Sequence, residues 1–177
     1  DAVEQLLRLR ADPSERNVRG ETALHWAAAS PTGMTVKPLM SGGVGVEVPD
    51  ALGRTALHVA AASGAFEAMR CLLEGAANVQ ATELEGLTPL HMAAKAGHMP
   101  VVRLLVEARA NCERHTRESE PDPNQVQFAG GTALHTAARA GHEATVSALV
   151  ECRSNVDAAI QFGAGWGGTS LTSAAAA

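Results

Sequence analysis

The chain has 177 residues, 46% hydrophobic and 19% charged, a balance that fits a packed core and excludes a wholly disordered segment. Its net charge of −5 disfavours a nucleic-acid partner, because phosphate binding needs clustered Lys and Arg, and here only Arg8, Arg10, Arg16 and Arg19 form even a loose group. Aromatics are 3% with no Tyr, so Ala, Leu and Val must supply a core of closely packed helices, and no apolar run reaches membrane-spanning length.

Two sequence blocks recur. The first reads G-E-T-A-L-H-W-A-A from Gly20, G-R-T-A-L-H-V-A-A from Gly53, G-L-T-P-L-H-M-A-A from Gly86 and G-G-T-A-L-H-T-A-A from Gly130. Its threonines, Thr22, Thr55, Thr88 and Thr132, are separated by 33, 33 and 44 residues, which implies an 11-residue insertion in the last interval. The second block follows the first, as G-A-F-E-A-M-R-C-L-L-E-G-A-A-N-V from Gly64, G-H-M-P-V-V-R-L-L-V-E-A-R-A-N-C from Gly97 and G-H-E-A-T-V-S-A-L-V-E-C-R-S-N-V from Gly141. Apolar residues at helical spacing, such as Val102, Leu105 and Val106, make it an amphipathic helix. The first block is a shorter helix with Thr as N-cap, and Pro89 suits its first helical position.

Taken in chain order, residues 1–14 are a partial unit, since V-E-Q-L-L-R-L-R-A-D from Val3 to Asp12 matches only the second helix. Residues 15–47 are the first full unit, and its second block is damaged: Pro31 replaces the turn Gly, Pro38 falls inside the expected helix, and Gly42, Gly43 and Gly45 follow. A Pro deep in a helix costs about 3 kcal/mol or more. Starting late, with Thr35 as N-cap, places Pro38 in the first turn, so the expectation is a short helix from Val36 to Ser41, a loose exit and early local opening. Residues 48–80 and 81–113 are regular units. The long loop at 114–129, R-H-T-R-E-S-E-P-D-P-N-Q-V-Q-F-A, reads either as a tolerated solvated insertion or as a recognition element. Residues 130–157 are the fourth unit and 158–177 a partial one, in which Thr172 stands where His is usual. Beginning at Asp1 and ending mid-unit, the chain reads as a piece of a longer array, or as one with unrecognised caps.

T-P-L-H-x-A-A with a 33-residue period resembles the ankyrin repeat, and the resemblance covers almost the whole chain. It implies an all-α solenoid of stacked helix-turn-helix units joined by short hairpin loops, and a motif His that ties its helix start to neighbouring backbone. It further implies a partner surface made of loop tips and the inward face of the first helices. The loop-tip positions are then Glu15, Arg16, Asn17, Arg19, Asp50, Leu52, Arg54, Glu83, Leu84 and Glu85. The first-helix positions are Ala29, Ser30, Ala62, Ser63, Lys95, Ala96, Arg139 and Ala140. The candidate partner-binding residues are Arg54, Glu83, Leu84, Glu85, Lys95 and Arg139, with His115 and Arg117 from the long loop. Trp26 aligns with Val59 and Met92 and is expected in the core.

The residues offer no chemistry. Of seven histidines, His25, His58, His91 and His135 hold one motif position, and His98 and His142 follow the turn Gly. Stacked helices stand about 8–10 Å apart, so successive copies are poorly placed to share a zinc at about 2 Å. His115 follows Cys112 in C-x-x-H spacing, but two ligands are too few for a structural zinc. Cys112 aligns with Val79 and Val156 and reads as a small buried hydrophobe, while Cys71 and Cys152 lie two units apart, too distant for a disulfide, and are expected as free thiols. There is no G-x-S-x-G, and G-A-G-W-G-G from Gly163 lacks the Lys and preceding strand of a phosphate loop, so it is read as an entry loop with four extra residues. The expectation is a non-catalytic, monomeric scaffold or adaptor that binds a protein, with no cofactor, metal, nucleic acid or membrane insertion. Sparse cysteine points to the cytoplasm. The alternative is the docking or regulatory arm of a larger enzyme or channel.

Overall fold

The computed structural model describes residues 12–116 and 131–151, with Gln5, Leu9 and the segments 160–162 and 166–168. The expected helix at 3–12 therefore lies mostly outside the described residues, as do Arg117, Cys152 and most of the 114–129 loop.

Helices come in pairs: α1 (Ala23–Ala28) with α2 (Val36–Ser41), α3 (Ala56–Ser63) with α4 (Phe66–Glu74), α5 (Pro89–Ala96) with α6 (Met99–Glu107), and α7 (Ala133–Arg139) with α8 (Glu143–Glu151). First helices pack on first helices and second on second, giving two layers in register. The 33-residue period creates this order, because each pair presents the same apolar flank to its neighbour. Leu24, Leu57, Leu90 and Leu134 form one fully buried column, and Leu72, Leu105 and Leu149 another. Each such Leu contributes roughly 1.5–3 kcal/mol on leaving water.

The short α2 begins at Val36, with Thr35 at its N-cap, so Pro38 occupies the first turn and breaks no internal hydrogen bond. Beyond α8, Ile160–Phe162 (β1) and Trp166–Gly168 (β2) pair antiparallel, with Ile160 opposite Gly168 and Phe162 opposite Trp166. The glycine-rich stretch thus contributes a strand to a hairpin, where an entry loop was expected.

One side chain departs from expectation. Trp26 is 64% exposed, whereas Val59 and Met92 at the same register are half-buried and Thr136 is buried. Those three sit on first helices that follow another one, while α1 is the first of the described helices.

Candidate functional site

The face the hairpins and first helices present is built by two sets of ties. At each first helix the motif Thr and His cap one another: the backbone N–H of Thr22, Thr55, Thr88 and Thr132 donates to Nδ1 of His25, His58, His91 and His135 at 3.1, 3.2, 3.3 and 3.3 Å. The His backbone N–H returns a bond to the Thr side chain, a capping box with His in the place Glu usually takes. A backbone N–H can only donate, so Nδ1 accepts and Nε2 carries the proton. In three cases Nε2 then donates across to the next unit: His25 to the Arg54 carbonyl at 3.0 Å, His58 to Leu87 at 3.1 Å and His91 to Gly131 at 3.3 Å.

Burial holds these rings neutral. It lowers His58 below the ordinary histidine range against the opposing pull of the Leu87 carbonyl and of Glu83 and Asp50. It brings His91 down to about 4, with the charges of His115 and Arg114 acting in the same direction.

The second set shapes the hairpins. Asn17, Asp50, Glu83 and Thr116 open four successive turns, at 33-residue intervals. Asn17 Oδ1 accepts N–H from Arg19 and Glu21, Asp50 Oδ1 from Leu52 and Arg54, and Glu83 Oε1 from Glu85 and Leu87, all at 2.8–3.0 Å. Three residues later Gly53 adopts φ +78, and a Cβ there would stand 3.1 Å from the Leu84 nitrogen. That close approach lets the tips join: Ala51 N–H donates to the Arg19 carbonyl at 2.9 Å and Leu84 N–H to Leu52 at 3.1 Å.

This geometry sorts the candidate residues. Glu83, expected on the contact surface, is 7% exposed, its carboxylate committed to its own turn; it belongs to the framework. Arg54 is half-buried, paired with Asp50 at 2.7 Å and 3.7 Å from Glu21, so its charge is largely internal to the hairpin. Burial pushes Asp50 up, but its bonds to Arg54 and to backbone N–H outweigh this and hold it below the usual carboxylate range. Leu84, Glu85, Lys95 and His115 are exposed, Arg139 is half-buried, and Arg117 lies outside the described residues. Sequence reasoning passed over Val18, which is fully exposed at the first tip, while Leu52 (54%) and Leu84 (61%) are exposed at the next two. The signal was available, since Val18 aligns with Ala51 and Leu84.

Among the described residues no cluster of three His, Cys, Asp or Glu could hold a metal, and no helix is long and apolar enough to cross a membrane. Cys71 and Cys112 are free thiols, the former buried.

A family model of ankyrin repeats matches the chain in three overlapping copies, at residues 1–83, 29–116 and 74–161. Comparison with individual curated proteins finds no match.

Proposed function

Because the chain belongs to the ankyrin repeat family, whose members are generally non-catalytic protein–protein interaction modules, we propose that it is a scaffold or adaptor that binds a protein along its hairpin tips and first helices. The observation that carries this reading is that three successive tips each expose an apolar side chain, Val18, Leu52 and Leu84, while backbone bonds join neighbouring tips. Solvent-exposed apolar side chains fixed on a rigid frame are what a partner can bury without ordering cost. Beside them, small residues at the ends of α1 and α3 (Ala29, Ala62, Ser63) give way to Lys95 and Arg139 on α5 and α7. The contact residues on this reading are Leu52, Leu84, Glu85, Lys95, Arg139 and His115, with Val18 added. The chain acts as a monomer, and the cytoplasm suits its sparse cysteines.

Affinity capture from lysate with the intact chain, followed by mass spectrometry, identifies the partner. Leu52→Asp with Leu84→Asp should abolish its capture while the melting temperature stays within about 2 °C, because both side chains face water. Undiminished capture by a folded double variant overturns the assignment of this face.

A further inference from the structure

A serine or threonine stands directly before proline at two places in the chain, Ser30–Pro31 and Thr88–Pro89, and the fold treats the two in opposite ways. Thr88 is 2% exposed, and its hydroxyl is held 2.8 Å from His91 Nδ1 inside the cap of α5. Ser30 lies just past the end of α1, where Pro31 keeps it out of the helical region. The helix therefore closes at Ala28, and the serine heads a loop that runs to the start of α2 at Val36. Pro31, Thr32 and Met34 on that loop are exposed; Ser30 is half-buried, its hydroxyl 3.1 Å from Thr32 Oγ1. Ser63 holds the same register at the end of α3 and is exposed too, but Gly64 follows it.

We propose that Ser30 is a phosphorylation site for a proline-directed protein kinase. An enzyme selects proline after its serine when its own surface offers no acceptor there, because any other residue would bury an unpaired N–H and proline has none to bury. The transfer forms a bond from Ser30 Oγ to the γ-phosphorus of ATP and breaks the β–γ anhydride. The hydroxyl proton goes to the kinase's base, and ADP leaves. A kinase needs the segment extended, and this loop yields it at small cost. Its turn is closed by the Gly33 N–H on the Ser30 carbonyl, a long bond of 3.3 Å, while Gly33 packs against the backbone of Glu67 and Ala68 in α4 and leaves Pro31 and Thr32 facing outward. Thr88 carries the same dipeptide, but reaching its hydroxyl means dismantling the α5 cap. The phosphate adds nearly two negative charges beside Ala29, on the face assigned above to the partner. The site itself does not depend on that assignment.

The test takes the intact chain with magnesium ATP and a mitogen-activated protein kinase, and locates phosphate by peptide mass spectrometry. Phosphate is expected on Ser30, with Ser63 and Thr88 unmodified while the chain is folded. Ser30→Ala should abolish incorporation. Pro31→Gly keeps the hydroxyl and restores the turn residue of the regular units, so it should fold as the parent does, checked by circular dichroism. It should nonetheless be modified about tenfold more slowly or worse, because residue 31 then brings an N–H into the kinase. The readout needs no partner, so its failure leaves the proposed contact face standing. Absence of phosphate on Ser30, equal modification of the folded Pro31→Gly chain, or phosphate on Thr88 in preference to Ser30 overturns the proposal.

Discussion

Two histidines fasten α3 and α4 to the unit that follows them, whereas one fastens α1 and α2. In the regular case His58 reaches the Leu87 carbonyl, and His98 lies over Gly64 and reaches the Ala62 carbonyl at 3.1 Å. In the first unit His25 reaches Arg54, but Pro31 and Ala65 stand where Gly64 and His98 stand one unit later. Pro31 also cuts α1 to six residues against eight in α3, and α2 has six against nine in α4. Met34 is 75% exposed, at the register of the exposed Glu67 one unit later. In a linear stack each unit touches only its neighbours, so losing one tie weakens one interface and spares the rest. The damaged unit persists because its core column is intact: Leu24, Val36 and Leu39 remain buried.

The sharpest way to break this comparison is to truncate equivalent layers. Leu90→Ala, at a fully buried position in the regular part, should destabilise the chain by about 2–5 kcal/mol, read as a fall in urea midpoint. Leu39→Ala in α2 should cost distinctly less in that global transition, because the first unit can open by itself. Equal costs would show the first unit to be as firmly coupled as the others.

Acid should come next in size. The folded chain holds His58 and His91 below their ordinary values, so their contribution to stability is complete above about pH 6.5 and is lost as pH falls, for His91 toward about 4. From the His91 value alone, roughly 2–3 kcal/mol should disappear between pH 7.5 and 4.5. Urea titrations at the two pH values check this, and a midpoint that does not move refutes it.

Smaller still is the effect that isolates the second tie. Gly64 and Gly141 both have left-handed backbone, φ +68 and +75, but a Cβ at Gly64 would stand 2.6 Å from the His98 ring, while Gly141 has nothing within 4 Å. Gly141→Ala should cost about 1 kcal/mol from backbone strain alone. Gly64→Ala should cost about 1 kcal/mol more, since His98 must leave the Ala62 carbonyl. The difference between the two midpoints measures what the first unit lacks.

The fold was legible because repetition averages out local ambiguity. Four copies of Thr and His at one spacing fixed the first helices, and the steric rule for Pro38 located α2 even where the motif had decayed. The contact face was less legible. Polar residues at a hairpin were read as pointing outward, but Asp50 and Glu83 turn back to accept their own backbone N–H groups, as Asn17 does. A turn-opening Asn or Asp with Gly three residues on predicts that inward fold, so Asn17 and Asp50 carried their own signal. Glu83 did not, as Glu is no ordinary turn opener, and only its place in the column betrays it. Trp26 failed for a different reason: alignment assumes equal neighbours, and among the described residues no first helix precedes α1.

The weakest expected stability effect belongs to the residues that matter most for binding. Lys95 is exposed and Arg139 half-buried at the ends of α5 and α7, where surface charges contribute little to stability. Lys95→Glu with Arg139→Glu should leave the urea midpoint within about 0.5 kcal/mol of the parent. It should nonetheless weaken capture of the partner, since reversing two charges beside apolar contacts opposes whatever complements them. Each residue ends a first helix in the regular part of the stack, where two ties per interface keep that surface in place. A drop in melting temperature that parallels the loss of binding would assign both residues to the framework, alongside Glu83, and shift the contact surface onto the tips alone.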